Sequence, residues 1–78
     1  MFVEIITPAK TLYSGEATLV QLPGSEGSFE VMQNHAPIIA LLKAGKIKVK
    51  DAENKELFFE INGGVMENLK NKLVILAE

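Results

Sequence analysis

Apolar residues along this chain recur mostly at every second position, in short runs cut by turn residues. That is the period of half-buried strands. Phe2 to Thr7 reads as a first strand ended by Pro8, and Thr11 to Tyr13 as a brief second one before Ser14-Gly15. Ala17 to Leu22 is a third, stopped by Pro23-Gly24, and Ser28 to Met32 a fourth, after which Asn34 to Pro37 turns the chain. Ile38 to Leu42 and Lys46 to Lys50 follow, with Gly45 marking a turn between them. Asp51 to Lys55 is a polar hairpin tip, Glu56 to Asn62 a strand, and Gly63-Gly64 a sharp bend or bulge. Val65 to Leu69 and Leu73 to Leu76 complete the series, joined through Lys70-Asn71-Lys72. No helical stripe of three turns occurs. The predicted fold is all-β, a β-sandwich or flattened barrel forming a single domain over residues 1–78.

The alternation also predicts which faces are buried. Lys46, Lys48 and Lys50 interleave with Ile47 and Val49, so one side of that strand faces water and the other the core. Leu73-Val74-Ile75-Leu76 and Ile38-Ile39-Ala40-Leu41-Leu42 are apolar on both faces, and Phe58 and Phe59 point opposite ways. A sandwich has one inner face per sheet, so some of these side chains lie outside it. Burying each is worth about 1.5–3 kcal/mol. Either a partner covers them, or barrel closure and end-covering loops do.

Composition narrows the function classes. A chain of 78 residues buries only about 60% of its unfolded surface, so a partner could supply part of the missing burial. With no cysteine, disulfides and thiolate metal sites are excluded. The net charge of −2 gives no global attraction for nucleic acid or anionic lipid. The lysine strand lacks the aromatic platforms of a single-strand-binding groove, and the chain has no arginine to read phosphate or guanine. No apolar run approaches the roughly 20 residues of a membrane helix, so any membrane association is indirect.

The candidate chemistry is equally thin. His35 is the only histidine, and a zinc site would have to be completed by carboxylates alone. Glu30 is near in sequence, but no nucleophile completes a triad. His35 therefore reads as a turn or interface residue. Pro23 to Gly27 is glycine-rich but lacks the Gly-Lys-Ser/Thr ending of a phosphate loop, and Glu26 at its centre repels phosphate. A lipoyl or biotinyl carrier domain is an alternative all-β reading of similar length. Lys55 lies at a hairpin tip as a carrier lysine would, but Asn54-Lys55-Glu56 matches neither the Met-Lys-Met nor the Asp-Lys-Ala pattern.

A series of motifs in order carries a resemblance. Ile5-Ile6-Thr7-Pro8 leads to Leu12-Tyr13-Ser14-Gly15, then Leu22 to Gly27 and His35-Ala36-Pro37. Leu42-Lys43-Ala44-Gly45 and Gly63-Gly64-Val65-Met66-Glu67 follow, with a Val-Ile-Leu-Ala ending at Val74 to Ala77. Together they resemble, across essentially the whole chain, the amino-terminal β-domain of the epsilon subunit of the rotary proton-translocating ATP synthase.

The resemblance implies a β-sandwich of about ten strands on the central stalk. It implies a non-catalytic, cofactor-free subunit that binds gamma along one side and rests on the membrane c-ring at one end. Torque from the ring would reach the catalytic head through gamma and epsilon. The location implied is the cytoplasmic face of the bacterial plasma membrane, peripheral and within the complex. Thr7, His35, Ala36, Pro37 and Ala40 match the gamma-facing region, and Ser25, Glu26, Gly27, Ser28 and Phe29 the ring-facing loop.

Three departures accompany it. Ser28 stands where the family usually has Glu, with Glu26 or Glu30 able to replace the charge. Gln33-Asn34 replaces Pro-Gly before His-Ala-Pro, and Asn tolerates the left-handed backbone that Gly would adopt. Family members commonly continue into a two-helix domain that can restrain ATP hydrolysis and in some cases binds ATP. This sequence stops at Glu78, so the expectation is a short form with no ATP site and no helical inhibition.

Overall fold

In the computed structural model, which describes residues 1–78, the chain folds into six strands and no helix. They are β1 (Phe2–Ile6), β2 (Thr11–Gly24), β3 (Gly27–Met32), β4 (Ile38–Asp51), β5 (Glu56–Leu69) and β6 (Lys72–Ala77). The strand order is β1-β6-β5-β4-β2-β3, and β1 also pairs with β2, which closes the sheet into a flattened barrel. Only β1–β6 is parallel.

The all-β barrel matches the expectation, but the count of about ten strands does not. Each of β2, β4 and β5 is one 14-residue strand where the residue pattern gives two. Gly15, Gly45 and Gly63-Gly64 bend the chain without ending its pairing. The β4–β5 ladder runs through the glycines, with Leu42 opposite Gly64, Lys43 opposite Gly63 and Gly45 opposite Ile61. The first half of β2 pairs with β1 and the second half with β3 and β4, so one strand serves both layers.

The core-facing side also switches along these strands. On β4, Leu42 is buried at one end and Ile47 and Val49 at the other. On β5, Met66 and Asn68 are buried, then Ile61. The buried positions change from even to odd across the glycines, and a single period-2 reading of the whole strand fails there. Two close approaches explain the small residues. A Cβ on Gly45 would lie 2.9 Å from Cβ of Pro23, where the β2–β4 register slips. A Cβ on Gly64, whose φ is +155°, would lie 2.3 Å from the carbonyl oxygen of Leu76 on β6.

Three reversals follow local chemistry. Gly24 and Gly27 (φ +127°) pair across the Ser25-Glu26 tip. Asp51 Oδ1 accepts bonds from the Glu53 and Lys55 amides, both at 2.9 Å, with Asn54 left-handed at φ 64°. Lys70 and Asn71, at φ 52° and 60°, make the two-residue turn between β5 and β6. One cluster of fifteen buried apolar residues fills the barrel, including Val3, Ile5, Val20, Leu22, Ile47, Met66 and Ile75. Phe59 packs on it beside Tyr13, ring centroids 5.9 Å apart, while Phe58 points out and is exposed.

Candidate interaction surface

The outer face of β4, β5, β6 and β1 is where the two-sided apolar runs come together. Leu41 lies opposite Val65, Val65 opposite Leu76, and Leu76 opposite Ile6, forming one row across four strands. The next row is Ile39, Glu67, Val74 and Glu4. Ile39, Leu41 and Leu76 are 71, 67 and 52% exposed. Closure of the barrel leaves them uncovered. Contiguous apolar surface of this kind marks an interaction site.

The turn from Gln33 to Pro37 borders one end of this face. Asn34 sits at φ 62°, so Asn does take the left-handed conformation expected in place of Gly. Its amide donates to Asn71 Oδ1 at 2.9 Å, and the His35 amide donates to the Met32 carbonyl at 3.2 Å. The buried Asn68 side chain donates through Nδ2 to the His35 carbonyl at 3.2 Å. His35, Ala36 and Pro37 are all exposed, with His35 Nδ1 2.7 Å from the Ala36 carbonyl. The residue pattern gave no notice of Asn68. Its only signal is a single amide in the inward register of an apolar strand.

Thr7 borders the opposite end, just past Ile6. Its hydroxyl donates to the Lys10 carbonyl at 2.9 Å and accepts from the Lys10 amide at 3.0 Å, so it is engaged in its own turn. Ala40 is placed differently from its companions. It pairs with buried Met66 and packs against the core, half-buried, whereas Ile39 and Leu41 on either side point out. The exposed side chains of this stretch of β4 are Ile39 and Leu41.

Ser25, Glu26, Gly27 and Ser28 form an exposed hairpin tip, and Phe29 turns inward against the core. The Ser25 amide donates to the Leu41 carbonyl at 2.9 Å, which ties the tip to β4. Between the tip and β4 lies a cleft of about 430 Å³ lined by Gly24 to Gly27, Phe29 and Ile38 to Leu41.

No group of three or more His, Asp or Glu side chains converges as a metal site. Lys55 is exposed at its hairpin tip. The Tyr13 pKa is raised, first by burial and then by the nearby Asp51 and Glu16 carboxylates. Its hydroxyl donates to the Glu16 carbonyl at 3.1 Å, a structural bond.

The family model for the β-sandwich domain of the ATP synthase delta/epsilon chain matches residues 1–78. The chain is 43% identical over 75 residues to the ATP synthase epsilon chain of Chlorobium limicola, covering 96% of this chain and 85% of that one. It is 42% identical over 78 residues to the epsilon chain of Desulforapulum autotrophicum, covering all of this chain but 58% of that relative. Among solved structures, a chain of the Euglena gracilis mitochondrial ATP synthase superposes with a TM-score of 0.83 at 18% identity. That match covers 96% of this chain and 48% of the other, and it shows the fold. With the whole sequence matched by the family model and two relatives above 40% identity, the chain belongs to the ATP synthase delta/epsilon chain family through its β-sandwich domain.

Proposed function

We propose that this β-barrel is a non-catalytic central-stalk module that joins the gamma subunit to the c-ring and couples proton translocation to ATP synthesis. The observation that carries the reading is the uncovered apolar face around Ile39, Leu41, Val65 and Leu76. It is bordered by the His35–Pro37 turn at one end and by Thr7 at the other, the positions that resemble the family's gamma-facing region. Gamma would cover this face. The Ser25–Ser28 tip, carrying Glu26 and followed by the exposed Glu30, would rest on polar loops of the ring.

The mechanism is mechanical. A closed sheet with one packed core yields little under load, so a side force on the tip is transmitted to whatever covers the apolar face. No cofactor, metal or ATP is required for that work. The place of action is the cytoplasmic face of the bacterial plasma membrane, held there through the complex. No helix of the chain is long and apolar enough to cross a membrane.

Calorimetric titration with recombinant gamma tests the reading. One-to-one submicromolar binding is expected, weakened at least tenfold by Leu41→Asp, because a carboxylate would be desolvated in the covered face. Absence of binding by a folded sample, or unchanged affinity of folded Leu41→Asp, would overturn the surface assignment.

A further inference from the structure

We propose that the edge of β4 from Ile38 to Leu41 accepts one extended strand from a partner protein, an apolar segment carrying Lys or Arg. Further along, β4 also has β2 as a neighbour: Gly24 lies opposite Leu42 and, after a register slip, Gln21 to Ala17 lie opposite Lys48 to Asp51. Beyond Leu42 the β2–β3 hairpin makes one further backbone bond, from the Ser25 amide to the Leu41 carbonyl, and β5 is the one strand paired with Ile38 to Ala40.

The ladder geometry identifies the free groups. The Leu41 carbonyl accepts from the Ser25 amide, so Leu41 directs its backbone groups away from β5. Two residues along an antiparallel strand face the same edge, so Ile39 does likewise. The Ile39 amide and carbonyl and the Leu41 amide make no backbone bond outside the ladders. Ile39 and Leu41 line the cleft of about 430 Å³ together with Phe29. Proteins blunt a free edge with lysine, proline or a bulge. Pro37 does so at one end, but Ile38-Ile39-Ala40-Leu41 carries no such device. An edge this apolar and this unprotected is built to be covered, the logic of strand addition.

Charge selects the occupant. Glu26 lines the cleft and Glu67 lies across Ile39 on the outer face, and neither is ion-paired. Glu4, Glu16 and Glu56, by contrast, each face a cation. A basic side chain on the added strand would meet Glu26, with Lys43 marking the end where β2 resumes pairing. A second copy of this chain brings further acids to the same place and fits less well. This binding mode stands or falls separately from the gamma titration above.

The test uses chain 1–78 and a capped ten-residue peptide of alternating Val and Lys, with hydrogen exchange followed by NMR. In the free protein the Ile39 and Leu41 amides are expected to exchange at least 100-fold faster than those of Ala40 and Leu42, which face β5. Saturating peptide should slow both at least tenfold. A peptide N-methylated along its pairing edges should fail to do so, and Glu26→Gln should weaken the binding several-fold. Ile39→Pro removes a free donor and an exposed side chain, so it should keep the fold and lose the peptide, while Ile39→Ala, which keeps the donor, should retain it. Protected Ile39 and Leu41 amides in the free monomer would overturn the proposal, as would equal binding of the N-methylated peptide. Protection that appears with rising protein concentration would assign the edge to a second copy and overturn it as well.

Discussion

Replacing Gly64 by Ala tests the packing on which the barrel and its apolar face both depend. The added Cβ would lie 2.3 Å from the Leu76 carbonyl oxygen, 3.0 Å from Cα of Ala77 and 3.2 Å from the Leu76 carbonyl carbon, all backbone. None of these can rotate aside, so β5 and β6 must separate. Overpacking of this kind costs about 1–3 kcal/mol. An L residue at the Gly64 φ of +155° adds about 1–3 kcal/mol of strain. Loss of the unfolded chain's glycine freedom offsets about 0.4–1 kcal/mol. The net is a destabilisation of about 3 kcal/mol, a large part of the stability of a domain this small. At about 4–8 °C per kcal/mol, the melting midpoint should fall by about 12–24 °C.

Gly27→Ala is the matched control. Its φ of +127° is also unfavourable, but nothing lies within 4 Å of the added Cβ. It should therefore show the strain without the clash, a loss of about 0–2 kcal/mol. Urea and thermal unfolding followed by circular dichroism read both variants. A loss below about 1 kcal/mol for Gly64→Ala, or one equal to that of Gly27→Ala, would refute the claim that the β5–β6 approach requires glycine.

The remaining predictions concern Ala40, Tyr13 and nucleotide. Ala40→Asp places a carboxylate against buried Met66 and should cost about 2 kcal/mol. Leu41→Asp on the open face should cost under about 1 kcal/mol, and equal losses in urea unfolding would contradict the inward assignment of Ala40. Tyr13 titrates higher folded than unfolded, so its contribution is complete below the unfolded value of about 10 and lost as pH rises through the folded one. Phenolate absorbance of this single tyrosine measures the shift directly, and Tyr13→Phe should flatten the alkaline fall in stability. Millimolar ATP should leave the melting midpoint unmoved, and an ATP-dependent rise would reveal a nucleotide site.

Much of the molecule was legible from local patterning. Alternation at Lys46 to Lys50 put Ile47 and Val49 inside, and they are fully buried. Turn chemistry located Asp51–Lys55, Lys70-Asn71 and the left-handed Asn34, because backbone sterics act over a few residues. Excess apolar residues at Ile38 to Leu42 and Leu73 to Leu76 showed that some would lie outside a two-layer core.

The sequence by itself could not say which. Period-2 alternation gives relative faces within a run, but the inward side changes wherever a long strand crosses between layers. That change occurs at Gly45 and Gly63-Gly64, which locally read as turns and in three dimensions are bends within continuous ladders. The same crossing set Ala40 half-buried against the core and Ile39 and Leu41 outward. It also brought Asn68 beneath the His35 carbonyl, 33 residues away in the chain. Faces, edges and clefts belong to strand pairing between distant segments. Only the closed sheet, which commits each backbone donor and acceptor to one neighbour, could decide that the end of β4 has a neighbour on one side alone.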